Sequence, residues 1–139
     1  MAITSFIIGS VYWRSWWNYP PVSESLINTL KPDFLYLTHV HWDHFQGPSL
    51  RRFKMDTPVI TAKGNPRVTD DLIDVGFKNI IELDWGDSFE LSKNFKITLY
   101  PFWMYLDSAA IIEKCWIQDN NYNGSVVVNT GTGSCCTIS

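Results

Sequence analysis

The sequence predicts an α/β fold built in layers, and three observations carry that prediction. Strand-like and helix-like segments alternate as far as Leu83. A run of strand-like segments with no helical periodicity follows. Between them, Pro32-Asp33-Phe34-Leu35-Tyr36-Leu37-Thr38 is an apolar, β-prone stretch that reads as a buried strand, and it leads straight into a histidine-rich loop. Alternation followed by consecutive strands is the pattern of packed α/β layers. At 139 residues the chain is the length of one domain, and we take residues 1–139 as a single unit at this stage.

Phe6 to Tyr12 reads as a short strand. An aromatic loop follows, Trp13-Arg14-Ser15-Trp16-Trp17-Asn18-Tyr19-Pro20-Pro21, closed by its two prolines. Ser23 to Leu30 has the pattern of a helix capped by Ser23. The strand at 32–38 comes next, then the histidine loop. Gly47-Pro48-Ser49 then suits a turn and a helix start. Thr57 to Thr61 is a short strand, and Asn65 to Val75 a helix ended by Gly76. Asn79 to Leu83 is a strand, and Asp84-Trp85-Gly86-Asp87 a turn. Ser88 to Leu91 and Phe95 to Tyr100 form a hairpin around Lys93-Asn94. Ala109 to Ile117 and Ser125 to Val128 are two further strands, joined by the polar turn Asp119-Asn120-Asn121-Tyr122-Asn123-Gly124.

Composition narrows the function classes. Apolar residues make up 45% and charged residues 18%, which is a globular rather than a disordered balance. The formal net charge is −3 and the basic residues are dispersed, so nothing argues for a nucleic-acid partner. Arg51-Arg52 by itself is too short to form an electrostatic site. No apolar run approaches the ~18 residues of a membrane span, and the start lacks the basic region of a secretion signal. The expected setting is the cytoplasm. Cys115, Cys135 and Cys136, an odd count with one vicinal pair, do not form a disulfide framework and read as ordinary reduced thiols.

All three histidines of the chain fall within Thr38-His39-Val40-His41-Trp42-Asp43-His44. Imidazole is the commonest metal-binding side chain. On an extended chain residues two apart point the same way, so His39 and His41 can aim at one ion. Asp43 continues that side, and His44 turns towards a neighbouring position. The array predicts a divalent metal site, zinc first, with iron and manganese also compatible with imidazole and carboxylate ligands.

This His-x-His-x-Asp-His array, set between a buried strand and a helix, resembles the signature of the metallo-β-lactamase superfamily. Ser15-Trp16-Trp17-Asn18-Tyr19-Pro20-Pro21, the run His44-Phe45-Gln46-Gly47-Pro48-Ser49-Leu50, and Asp107-Ser108-Ala109-Ala110-Ile111-Ile112 are similar to stretches of its CMP-N-acetylneuraminate hydroxylase-like branch. The resemblance implies roughly the N-terminal half of an αββα sandwich, with metal at the edge shared by two sheets. It implies His39 and His41 as ligands to a first ion, and Asp43 and His44 as ligands to a second. Asp43 would also orient a metal-bound water and take its proton, and Asp107 would be a later carboxylate ligand. The implied activity is metal-dependent hydrolysis of an unidentified small molecule; the alternatives are a di-iron hydroxylase and a metal-binding or assembly module.

The chain departs from the superfamily pattern in three places. It has no histidine after His44. The strand Ile97-Thr98-Leu99-Tyr100-Pro101-Phe102-Trp103 ends in aromatics where a histidine is expected, and Gly131 or Thr132 stands where a bridging aspartate is expected. The sequence thus reads as a truncated domain with a misread tail, Ser134 to Ser139. A lost half would leave a sheet edge and an apolar face uncovered, which predicts a homodimer. Trp13, Trp16 and Trp17 read as packing residues. Gly131-Thr132-Gly133 lacks the lysine and the helix of a phosphate loop. Asp70, Asp71 and Asp74 form a solvated acidic helix face.

Overall fold

The computed structural model describes residues 2–3, 10–11, 16–17, 23–41, 44–64, 66–102, 107–118, 121–129 and 135–138. Their order is β1 (Ala2–Ile3), β2 (Ser10–Val11), β3 (Trp16–Trp17), α1 (Glu24–Thr29), β4 (Leu35–Tyr36), α2 (Gly47–Leu50), β5 (Val59–Ala62), α3 (Pro66–Val75), β6 (Ile80–Leu83), β7 (Ser88–Ser92), β8 (Phe95–Phe102), β9 (Asp107–Gln118), β10 (Asn121–Asn129) and β11 (Cys135–Ile138). The architecture is mixed α/β, as predicted. The predicted strand residues Phe6 to Gly9, most of the aromatic loop, and Gly131 to Gly133 lie outside the described residues.

The chain divides into two compact units. The first comprises residues 1–61 and 65–81, the second residues 62–64 and 82–139. The sheet that underlies the first unit has the order β1-β4-β5-β6. β4 runs parallel to both β1 and β5, with Leu35 opposite Val59 and Tyr36 opposite Ile60. Parallel strands are covered on both faces, and β4 accordingly shows no polar alternation: Leu35, Tyr36 and Leu37 are all fully buried. Leu35, Leu37 and Val59 pack with Leu50 and Phe53 from the α2 region and with Val68, Leu72 and Phe77 from the α3 region in one core.

Helix α3 opens on Pro66, whose fixed φ suits a first helical position. Val68 and Leu72, four residues apart, face the core, while Ile73 points to solvent. Gly76 ends the helix at φ +116°. Its N–H donates to the Ile73 carbonyl at 2.9 Å and the Phe77 N–H donates to the Leu72 carbonyl at 3.1 Å. This pair of bonds is the Schellman arrangement, and it needs the left-handed backbone that glycine adopts at low cost.

In the second unit β11-β10-β9-β8-β7 form an antiparallel five-stranded sheet. Its register is set by cross-strand pairs. Ser88 and Thr98 hydroxyls meet at 2.7 Å, the Lys96 ammonium lies 2.8 Å from the Glu113 carboxylate, and the Lys114 ammonium sits 5.6 Å from the centre of the Phe95 ring. Ile97, Leu99 and Ala110 are fully buried. Pro101 sits inside β8 without breaking it. Leu99 bonds to the 84–87 turn through both its backbone groups, and Pro101, two residues on, faces the same side beyond the end of β7, where no N–H is needed.

One expectation is corrected here. Asn121 to Gly124 are not a loop: they extend β10 and pair with Gln118 to Cys115, because a long antiparallel ladder satisfies their backbone groups better than an open turn would. One strand was not assigned from the sequence. Cys135 to Ile138 form β11, paired with Val126 to Asn129.

Candidate metal centre

The histidine loop grows out of the end of β4. The Leu37 N–H donates to the Ile60 carbonyl at 3.0 Å, which keeps the chain on the sheet up to the loop. Thr38 and His39 are still buried, and His41 is exposed. The chain then reverses tightly: the N–H groups of His44 and Phe45 both donate to the His41 carbonyl, at 2.8 and 2.6 Å. That reversal brings His44 back towards His39. α2 follows at once, with Gln46 as its extended N-cap residue, Pro48 in its first turn and the Ser49 hydroxyl donating to the Gln46 side-chain oxygen. Buried Leu50 and Phe53, and Phe45 packed against them, anchor the far side of the loop in the core.

The three imidazoles converge. The His39 and His41 ring centres are 4.4 Å apart at 87°, and those of His39 and His44 are 4.3 Å apart at 42°. His39 and His41 offer ring nitrogens within 4.8 Å of one another. Nitrogen ligands bind zinc or iron at about 2 Å, so two such nitrogens can reach one ion. The Thr38 hydroxyl oxygen lies 2.9 Å from His39 Nδ1. With Nδ1 protonated, the ring donates to that oxygen and Nε2 carries the lone pair a metal needs. The donor set therefore fits a divalent transition metal.

The predicted site residues fall in different places. His39, His41 and His44 are brought together. Asp43 and Trp42 lie outside the described residues. Asp107 belongs to the second unit, where it opens β9 opposite Phe102; it is half-buried and is followed by fully buried Ser108. It is a strand residue and not a turn residue. Thr38 had no assigned role in the sequence. The signal was its position next to a histidine on a buried strand, where a hydroxyl needs a partner.

The fold and the loop together define a mixed α/β protein with three clustered imidazoles at the end of a parallel strand. No protein-family model matches the chain. Over 138 aligned residues it is 27% identical to the cytidine monophosphate-N-acetylneuraminic acid hydroxylase of Mus musculus, a match that takes in 94% of this chain and 22% of that protein. The hydroxylases of the same name from Cricetulus griseus and Sus scrofa are 25% identical over 94% of this chain, and the match covers 23% and 30% of their lengths. The chain thus spans about a quarter of the length of the curated relatives it matches. The similarity points to a related family, and it is to proteins named for hydroxylation, not hydrolysis. Among the described residues no helix is long and apolar enough to cross a membrane.

Proposed function

We propose that this chain is the metal-loop portion of a metal-dependent hydroxylase related to the cytidine monophosphate-N-acetylneuraminic acid hydroxylases, with a metallo-β-lactamase-like sandwich as its full fold. The observation that carries the reading is the convergence of His39, His41 and His44 in one loop of a chain whose relatives are named hydroxylases. That name moves the metal from zinc to iron and puts the di-iron hydroxylase ahead of the hydrolase. Zinc has no redox chemistry, whereas iron held there would relay to oxygen the two electrons per hydroxylation that an external donor supplies. A sugar nucleotide is the proposed substrate class, on the relatives' name alone.

In this reading His39 binds through Nε2, held in place by Thr38 at Nδ1. His41, exposed, stands on the side from which a substrate arrives, and His44 completes the imidazole set. Asp43 and Asp107 are the proposed carboxylate ligands, and both rest on the sequence resemblance. Asp43 is also the proposed base that holds or moves a proton beside the ion.

The test is reconstitution of the full chain with Fe(II), Zn(II) or Mn(II), followed by elemental analysis beside a His39→Ala/His41→Ala variant. About one or two ions per chain, lost in the variant, are expected from the ligand count. Iron retention with sustained oxygen uptake in the presence of an electron donor, beyond autoxidation of the metal, supports a hydroxylase. Retention of zinc alone, without oxygen uptake, returns the reading to a hydrolase. No retained metal, or equal metal in the folded variant, overturns the centre itself.

A further inference from the structure

We propose that the first unit carries a second binding site, for a compact organic phosphate, at the amino-terminal ends of β4 and β5. A cleft of about 350 Å³ opens there between the segment that leads into β4 and the segment that leads into β5. β4 and β5 are parallel, so their amino ends share one edge of the sheet. His39 and His41 follow the carboxyl end of β4, at the opposite edge. The cleft is therefore separate from the imidazole centre.

Three cations line it: Lys31 before β4, and Arg52 and Lys54 between α2 and β5. Lys31 lies on a different segment from Arg52 and Lys54, and only folding sets the three around one space. All three are exposed, and none forms an ion pair among the described residues. Among the described residues the only carboxylate on the lining is Asp33, so three positive charges there face one negative charge. The surplus of two matches the charge of a phosphate monoester, about −1.5 to −2 at neutral pH. Arginine supplies a planar fork for two phosphate oxygens and lysines supply point charges.

Two further features select the ligand. Thr57 lines the cleft, with 9% of its surface exposed. Its hydroxyl can donate a hydrogen bond to a bound oxygen. Leu30, Pro32 and Phe53 form an apolar wall beside the charges. A volume at the low end of the ~300–1,000 Å³ typical of ligand pockets fits one ring or a short chain behind the phosphoryl group.

Calorimetric titration of the full chain with phenyl phosphate and with inorganic phosphate tests the site. The expected result is tighter binding of phenyl phosphate, weakened by rising NaCl and reduced on the order of ten-fold or more in Arg52→Ala/Lys54→Ala, since each charge-assisted bond lost has that scale. Thr57→Val should also weaken it. Metal content in these variants should equal that of the unaltered chain, which separates this site from the proposed centre. Equal affinity for the two ligands, no binding at millimolar concentration, or full affinity in the folded double variant would each overturn the proposal. The salt dependence of the unaltered chain decides the matter if the double variant fails to fold.

Discussion

The Thr38 hydroxyl oxygen lies 2.9 Å from Nδ1 of His39, the most buried of the three clustered imidazoles. A residue that touches no ion can thus determine which nitrogen of its neighbour is presented to one. The bond also fixes the ring plane, because His39 meets His41 edge-on and His44 at a tilt, and both contacts depend on that orientation.

Thr38→Val keeps the shape of the side chain and removes the hydroxyl. Metal affinity should fall about 10–100-fold, the usual cost of losing a partner that orients a ligand. Competition with a chromophoric chelator measures it. A ratio near one between variant and unaltered chain would mean that Thr38 does not position His39.

Leu72→Ala removes a fully buried side chain from the face of α3 that packs on Leu35, Leu37 and Val59. The loss should be about 2–5 kcal/mol in urea unfolding, from lost transfer energy plus the cavity left behind. Exposed Ile73, the next residue, should tolerate the same change within about 0.5 kcal/mol.

Gly76→Ala should cost about 1–2 kcal/mol, because φ is +116° and an L side chain is strained there. The added Cβ would also stand 3.3 Å from Met55 Sδ, so Met55 must shift. Gly86, at φ +87° with nothing within 4 Å, carries the backbone strain alone and should cost less on substitution. Urea midpoints of the two variants give the comparison.

The Lys63 ammonium lies 2.9 Å from the Asp84 carboxylate. That hydrogen bond, with the Asp84 charge, raises the Lys63 pKa above its ordinary 10.5. A raised folded-state pKa contributes stability below the unfolded value, and the contribution disappears as pH rises through the folded value. The melting temperature of Lys63→Met should therefore lie slightly below that of the unaltered chain near neutral pH, and the gap should close at pH above 10.5. Both side chains are more than half exposed, so added salt should shrink the gap as well. A gap that persists in strong alkali would mean the lysine acts through packing.

Much of this protein was legible before folding. Period and punctuation revealed α3 with its Gly76 stop, β4 as a doubly covered strand, the β7–β8 hairpin and the imidazole loop, because each is decided by residues close together in the chain. The stretch 121–124 was misread because its polar residues carry turn propensity, while their backbone partners lie across the sheet on β9. β11 was missed for the same reason: its pairing with β10 is visible only in three dimensions. The sequence alone determined that the three histidines share one loop, since they fall within six residues. Only the tertiary structure decided that His44 folds back onto His39, that Thr38 holds His39 Nδ1, and that Lys31, Arg52 and Lys54 surround one cleft. Local spacing governs a loop, but charges on separate segments meet only where parallel strands align their ends.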